Sequence, residues 1–343
     1  MKLKSIEVKG MWGYVDLKWN LNERVNILTG SNGTGKSTVL DLMLSTLVSG
    51  KLIEELVTKV KQVNIEFDNG MTLVSISFDD TLLELQKEAE KNEMLKDLWE
   101  DVKARIPMPS GKKSRLNRMG ITASMSYLLK NRKLIPLADE LNDLNVDTIS
   151  TFDVTLPSEQ DIQKAKTLKD KGLRSPLDMG LNDLKEKYAY YLGGLATRME
   201  KYVKEGHVPS EEYIKNLYAQ KDLFISIVNE MFTETGKHIN IDNSQLEFVL
   251  DEGGKHISMY DLSSGEKQLL YILMTVLMEE QKDYILLMDE PEISLHVDWQ
   301  EKLIDKILLL NPNCQLVIAT HAPSLLLRGW HSFVSNISDL KIL

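Results

Sequence analysis

The residues whose types and spacing most clearly suggest chemistry form one run near the start of the chain, Gly30-Ser31-Asn32-Gly33-Thr34-Gly35-Lys36-Ser37. The run matches G-x-x-x-x-G-K-[ST], in which glycines let several backbone N–H groups turn toward phosphate oxygens. Lys36 is predicted to reach the β- and γ-phosphates of ATP, and Ser37 to ligate Mg²⁺. With Thr38, the run forms the predicted phosphate loop. The alternative is a glycine-rich turn without a ligand, which the apolar strand before it and the helical pattern after it disfavour.

A second candidate is the apolar run Tyr284–Met288, which ends in the acids Asp289 and Glu290. Ligands of open α/β sheets bind at the carboxyl ends of the strands. Asp289 is therefore predicted to hold Mg²⁺, directly or through water, and Glu290 to orient an attacking water. Taken alone, the run is equally explained by an acidic turn at a strand end, and the phosphate loop favours the first interpretation.

Two further segments contain residues that could bind an anion or contact a phosphate. Ser263, Ser264 and Gly265 open a helix, and Ser263 with Glu266 forms the capping pattern S-x-x-E. A capped helix N-terminus is also an anion site, which makes these three residues candidates for nucleotide binding, but the spacing alone leaves open whether they meet phosphate. His321 follows an apolar strand, and by itself it is more readily explained as a structural histidine.

These four segments occur in the order typical of ABC-type ATPases, which the chain resembles from residue 1 to about 325 except in its middle. The resemblance implies two heads that dimerise head-to-tail around ATP, with Ser263 and Gly265 contacting the γ-phosphate in trans. It also implies that Glu290 is the general base and that His321 senses the γ-phosphate, so that Lys36 completes the catalytic set. Asp298 would match the aspartate that contacts the dimer partner.

The residues after the acidic strand indicate a branch of this superfamily. The run Asp289–His296 reads DEPEISLH, which is similar to OLD and RecF-like soluble ATPases, whereas transporter ATPases usually read DEPTSALD. The N-terminal run Gly10–Tyr14 is also similar to SMC-like heads. Stand-alone ATPases of this shape resemble anti-phage defence ATPases of the Septu, PARIS and retron-associated types. Such proteins act with a separate effector, often a nuclease.

The elements that must position these residues can be predicted from hydrophobic periodicity. Apolar strands alternating with helices indicate a parallel sheet covered on both faces. The predicted fold class is α/β, a P-loop NTPase of the ABC-ATPase head type, with a mixed sheet, helices on both faces and a mainly helical insertion. Residues 1–79 and 238–343 are predicted to form the head, and 80–237 the insertion, with a possible strand at Val146–Val154. The predicted helices are Lys36–Val48, Leu82–Arg105, Leu181–Lys204, Glu211–Phe232 and Val297–Leu310, and a further helix is predicted to follow Leu262–Gly265 and to end at about Met278.

Composition excludes several classes of protein. The 343 residues carry a net charge of −10, and 43% are hydrophobic, which is typical of a globular chain. The single cysteine, Cys314, excludes a disulfide scaffold and a cysteine-based zinc site. The apolar runs are too short to span a bilayer, and the N-terminus has no signal-peptide core, so we expect a cytoplasmic protein without membrane contact.

Residues Val102–Leu137 stand out because they hold nine basic residues and no acidic ones. The segment is either a solvated surface that balances acids elsewhere, or an electrostatic footprint for nucleic acid or an acidic partner. Tyr127 is its one aromatic residue, which makes stacking on single strands a poor explanation. The basic residues are Lys103, Arg105, Lys112, Lys113, Arg115, Arg118, Lys130, Arg132 and Lys133.

The sequence therefore predicts an ATPase that uses ATP and Mg²⁺ and forms a homodimer or higher homo-oligomer. Its nucleotide-driven dimerisation is predicted to control a separate effector, such as a nuclease, in bacterial anti-phage defence. Two alternatives remain open. One is a DNA-repair or recombination ATPase that loads on duplex DNA through Lys103–Lys133. The other is a scaffold that holds ATP with little turnover.

Overall fold

The structure is a computed structural model, and it describes residues 1–49, 52–78, 96, 123–130, 133–135, 141, 144–150, 175–240 and 246–342. The chain forms two compact units. The first contains Met1–Asp147 with Ser335–Leu343, and the second contains Thr148–Val334. The predicted division into a head and an insertion between 80 and 237 stays a prediction.

The strands and helices of the described residues follow in chain order. The strands are β1 (Leu3–Met11), β2 (Val15–Asn20), β3 (Val25–Thr29), β4 (Gln62–Phe67), β5 (Met71–Phe78), β6 (Ala123–Lys130), β7 (Lys133–Ile135), β8 (Val146–Ser150), β9 (Lys237–Ile239), β10 (Glu247–Leu250), β11 (His256–Ser258), β12 (Tyr284–Asp289), β13 (Cys314–Ala319), β14 (Val334–Asn336) and β15 (Lys341–Ile342). The α-helices are α1 (Lys36–Ser49), α2 (Glu54–Val57), α3 (Pro176–Lys204), α4 (Glu211–Phe232), α5 (Ser264–Met278) and α6 (Val297–Leu310).

The first unit is built on an antiparallel sheet in the order β15-β2-β1-β4-β5-β6-β7. In β2, buried Val15, Leu17 and Trp19 alternate with exposed residues, as expected for a strand with one face on the core. Strand β3 is buried along nearly its whole length and leads into the phosphate loop, after which α1 begins at Lys36.

The second unit places two buried strands in parallel. Strands β12 and β13 pair from Tyr284↔Cys314 to Asp289↔Ala319, and all six residues of β13 are buried. This register confirms the expected parallel pairing for these two strands. Their burial agrees with the rule that continuous apolar strands are covered on both faces. Because the register is parallel, the carboxyl ends of β12 and β13, with Asp289 and His321 near them, lie at the same edge.

Long helices of the second unit begin at residues that satisfy their first N–H groups. Ser175 caps α3 in a reciprocal capping box with Asp178, followed by Pro176 at the first helical position. Ser210 caps α4 through the backbone N–H of Tyr213. The cap and the proline place the start of α3 five residues before the predicted Leu181, while α4 has the predicted bounds.

The described part of residues 80–237 contains strands that the sequence patterns did not predict. Strand β6 pairs with β5 from Met71↔Lys130 to Phe78↔Ala123, and β7 pairs with β6. Strand β6 is determined by pairing with β5, which is distant in sequence, and its local sequence had not indicated a strand. The predicted strand Val146–Val154 is confirmed over β8, and its remaining residues lie outside the described ones. Apart from Lys96, the predicted helix Leu82–Arg105 also lies outside them.

Within the described residues, no helix combines the length and apolar character needed to cross a membrane.

Candidate functional site

The phosphate loop has the backbone that its glycines were expected to allow. Gly33 and Gly35 have φ angles of 75° and 99°, in the left-handed region that costs glycine little. The Thr34 hydroxyl donates to the carbonyl of Ser31 at 2.7 Å, which closes the turn. Ser31 and Gly33 are exposed, so the face of the loop is open to a ligand.

Lys36 is buried within its own loop. Its side chain is 5% exposed, and its Nζ donates to the carbonyls of Gly30 at 3.1 Å and Ser31 at 3.3 Å. A buried ammonium needs acceptors, and phosphate oxygens are stronger acceptors than neutral carbonyls. The Ser37 hydroxyl stands exposed in the first turn of α1. The donor set of this loop therefore fits a phosphate chain with a bound Mg²⁺.

Two residues behind the loop were not predicted. A Cβ on Gly35 would lie 2.6 Å from the ring of Trp12, and a Cβ on Gly30 would lie 2.7 Å from Ile337. Both distances are shorter than real contacts, so these glycines are required by packing as well as by backbone geometry. The aromatic residue in the Gly10–Tyr14 run was the available signal for Trp12, whereas Ile337 lies far away in sequence.

The acidic strand end has an unusual backbone at Glu290. The residue has a φ of 49°, and its N–H donates to the carbonyl of Ala319 at 2.8 Å. A non-glycine residue in the left-handed region costs about 1–3 kcal/mol, and such residues are enriched at functional sites. The conformation and the hydrogen bond place the Glu290 side chain beside the end of β13.

Glu290 and His321, which the sequence predicted separately, lie together. Nε2 of His321 lies 3.2 Å from Oε1 of Glu290, and the two side chains are 32% and 19% exposed. A carboxylate in contact with an imidazole can hold and orient a water molecule next to a reacting phosphate. The Glu290 carboxylate, which is expected to orient water, therefore contacts the His321 ring within the second unit.

The helix that opens at Ser263 has the predicted capping box. The Ser263 N–H and hydroxyl each donate to the Glu266 carboxylate at 2.8 Å, and the Ser263 oxygen accepts from the Glu266 N–H. Lys237 donates to the other carboxylate oxygen at 2.6 Å. Burial alone would raise the pKa of Glu266, but hydrogen bonds from Lys237 and Ser263 outweigh it, so the pKa lies below its ordinary value. The exposed Ser263 and Ser264 remain accessible to a ligand.

Gly265 links this helix start to the segment after the acidic strand. It is buried against the carbonyl of Ser294, which leaves no room for a Cβ. In that segment, His296 Nδ1 lies 3.3 Å from Oδ2 of the half-exposed Asp298. The role of Asp298 at a dimer contact stays a prediction.

Glu292 is a buried acid that the sequence patterns did not predict to be functional. Its Oε1 accepts from the Thr320 hydroxyl and from the N–H groups of His321 and Ala322. The available signal was the second glutamate of the DEPE run, where transporter ATPases usually have threonine.

The predicted basic segment lies mostly outside the described residues. Lys130 and Lys133 are described, and they pair across the hairpin of β6 and β7. Its role as a footprint for nucleic acid or an acidic partner stays a prediction.

The chain is similar in sequence to several known proteins. A family model described as "AAA domain, putative AbiEii toxin, Type IV TA system" matches residues 25–327. The "Septu protein PtuA" of Bacillus thuringiensis is 23% identical over 343 residues, covering 94% of this chain and 72% of the relative. The "Retron Vc95 probable ATPase" of Vibrio cholerae serotype O1 biovar El Tor is 23% identical over 392 residues, covering 99% and 74%.

Among solved structures, the SMC head domain from Thermotoga maritima matches with a TM-score of 0.46 and 13% identity, covering 95% of this chain and 91% of that one. The SMC head bound to the C-terminal winged-helix domain of ScpA matches with a TM-score of 0.48 and 15% identity, covering 95% and 91%. The predicted resemblance to Septu and retron-associated ATPases and the α/β P-loop class are confirmed by the family and the curated relatives.

Proposed function

Because this chain belongs to the family described as "AAA domain, putative AbiEii toxin, Type IV TA system", we propose that it binds ATP with Mg²⁺ and hydrolyses it to ADP and phosphate. The observation that carries the proposal is the phosphate loop with Lys36 enclosed by its own carbonyls. An enclosed ammonium beside exposed N–H groups suits a polyphosphate, because each charged oxygen can replace a carbonyl as its acceptor.

Five of the candidate residues would act directly in this reaction. Lys36 neutralises phosphate charge, and Ser37 and Asp289 hold Mg²⁺. The metal ion supplies charge stabilisation at the phosphoryl oxygens. Glu290 orients the attacking water as general base, and His321 contacts the γ-phosphate. Hydrolysis then depends on positioning and on charge stabilisation, since phosphoryl transfer needs little covalent chemistry from the protein.

The binding half of the proposal is tested with Lys36→Ala. Loss of the ammonium should weaken ATP binding by about 100-fold or more, since one well-placed charged contact contributes about 3 kcal/mol. Affinity is measured by titration calorimetry with ATP and Mg²⁺. Lys18→Ala, on the exposed side of β2, is the matched control and should bind like the unchanged protein. Equal affinity in both variants would show that this loop is not the nucleotide site.

The chemical half is tested with Glu290→Gln. The amide keeps the size of the side chain but cannot accept a proton from water, so the variant should bind ATP normally and release phosphate at least about 100-fold more slowly. Glu212→Gln, at an exposed position of α4, is the matched control and should keep full turnover. Normal phosphate release by Glu290→Gln would remove Glu290 from the role of general base.

We further propose that the ATPase works with a separate effector protein in anti-phage defence, which is the role that its resemblance to Septu and retron-associated ATPases implies. A tagged chain expressed with its neighbouring genes should retain one nuclease or other toxin through purification. If the chain instead binds duplex DNA in a salt-dependent way, and charge removal at Lys112, Lys113 and Arg115 abolishes binding, the repair alternative replaces this proposal. Retention of ATP with negligible phosphate release would favour the scaffold alternative.

A further inference from the structure

Glu292 is a carboxylate buried where the proposed chemistry does not use it. It is 7% exposed, and its Oε1 accepts three hydrogen bonds from the segment after β13. The donors are the Thr320 hydroxyl at 2.5 Å, the His321 N–H at 3.2 Å and the Ala322 N–H at 3.2 Å. Burying a carboxylate costs free energy unless it accepts hydrogen bonds, and these three donors offset that cost.

The three bonds fix the backbone on both sides of His321. Thr320 is fully buried, and its hydroxyl also accepts from the Ala322 N–H at 2.9 Å. That backbone fixes the direction of the Cα–Cβ bond of His321 and restricts which rotamers its side chain can adopt. The ring that results lies 3.2 Å from Glu290, two residues before Glu292. One carboxylate therefore aligns the histidine with the acid that it contacts.

Gln300 holds the Glu292 turn from its other side. Its Nε2 donates to the carbonyls of Glu292 at 3.2 Å and Leu295 at 2.9 Å, and its Oε1 accepts from the Ser324 hydroxyl. Ser324 lies just beyond the His321 segment. The turn and that segment are therefore joined twice, once through the Glu292 side chain and once through the Gln300 side chain.

We propose that Glu292 is a positioning residue that orients His321 toward Glu290 and so sets the geometry of this pair for hydrolysis. The proposal rests on the proposed ATPase activity and deepens it. A threonine at this position, as in the usual transporter wording, has a short neutral side chain and offers no carboxylate to these three donors. Glu292, the second glutamate of the DEPE run, thus orients His321 through its hydrogen bonds to the backbone around that residue.

The kinetic test is a double-mutant cycle between Glu292→Ala and His321→Ala. If Glu292 acts through His321, Glu292→Ala should lower kcat about 10- to 100-fold, the size expected for a misplaced reacting group, with KM for ATP nearly unchanged. Adding Glu292→Ala to His321→Ala should then cause no further loss. Glu292→Gln keeps an acceptor oxygen and should recover most of the turnover. Multiplicative losses in the double variant would overturn the proposal.

A second readout needs no turnover and so separates this proposal from the ATPase proposal. The His321 ring signal is assigned in NMR spectra of histidine-labelled, nucleotide-free protein as the one missing from His321→Ala. Glu292→Ala should move this signal, and Glu292→Gln should leave it near its original place. Thr320→Val, which removes one donor and retains the acid, should move it less, and it supplies a folded variant should Glu292→Ala not fold. A His321 signal unmoved in every folded variant would overturn the positioning role, whether or not the chain hydrolyses ATP.

Discussion

At the scale of single residues, two helical glycines of this chain differ in the space that surrounds them. Gly265 in α5 lies against the carbonyl of Ser294 with no room for a Cβ, whereas Gly194 in α3 has nothing within 4 Å of the position where a Cβ would be. Helix propensity favours alanine over glycine in a helix interior, where Gly194 lies, whereas Gly265 is the second residue of α5. The space around the two positions adds to this difference.

We expect Gly265→Ala and Gly194→Ala to shift stability in opposite directions. Gly194→Ala should raise the free energy of unfolding by about 0.5–1 kcal/mol, because alanine has less freedom in the unfolded chain. Gly265→Ala should lower it by about 1–3 kcal/mol, because the added methyl displaces the Ser294 backbone. Urea unfolding of both variants measures the change. Stabilisation by both substitutions would mean that Ser294 yields to a methyl group at no cost.

Residues with local signals were predicted from the sequence, and residues with distant partners were not. The glycine spacing around Lys36 and the capping pair Ser263 and Glu266 involve neighbours within a few positions, and both have the expected local geometry. Glu292 bonds to residues 28 to 30 positions later, and Ile337 packs on Gly30. Such contacts depend on the completed fold, so no short pattern indicates them.

At the scale of elements, helix α3 contains two buried tyrosines, and one of them packs against α4. Tyr188 and Tyr191 are 5% and 8% exposed, and the Tyr188 ring also packs on Phe224. Burial, aided by the neighbouring Tyr191 hydroxyl and Asp222, raises the pKa of Tyr188 to about 12. Burial and Glu280 raise the pKa of Tyr191 to about 12, against an opposing effect of Arg198. Both side chains are therefore held neutral in the folded state beyond their ordinary range.

These two tyrosines should make the fold sensitive to alkali. Their folded pKa is above the unfolded value of 10.0, so their contribution is fully present below pH 10 and is lost as pH rises toward 12. At pH 11 the two tyrosines together should lower the stability of the folded state by on the order of 1–3 kcal/mol relative to pH 8. Urea unfolding at both pH values should show this loss reduced in Tyr188→Phe and Tyr191→Phe. Tyr190→Phe is the control, because Tyr190 is 80% exposed, and an equal effect there would contradict the role of burial.

The accuracy with which the sequence predicts each element depends on how strong its local pattern is. Helix α4 and strand β12 have strong periodicity or a solid apolar run, and their predicted bounds agree with the structure within one residue. Strand β6 reads ASMSYLLK, which has no clear alternation, and its eight residues are ordered by pairing with β5. The local sequence pattern predicts an element when hydrophobic periodicity marks its buried face. It does not predict a strand whose formation depends on pairing with a neighbouring strand.

At the scale of the whole molecule, net charge opposes self-association. Each chain carries −10, and two bound ATP molecules would add further negative charge to a dimer. Like net charges repel over distances that shorten with salt, since the screening length falls from about 30 Å at 0.01 M to about 8 Å at 0.15 M. A nucleotide-driven dimer of this chain must therefore depend on local contacts around the phosphates, and it should be favoured by moderate salt.

We expect Glu290→Gln with ATP and Mg²⁺ to form a dimer, because bound nucleotide persists when water is not activated. Analytical ultracentrifugation should show twice the monomer mass, with a larger dimer fraction at 0.15 M than at 0.01 M salt. The double variant Lys36→Ala with Glu290→Gln should stay monomeric, since its loop no longer holds the phosphates. A dimer of equal stability in that double variant would mean that association is independent of nucleotide, and ATP binding would then not be the signal that brings two chains together.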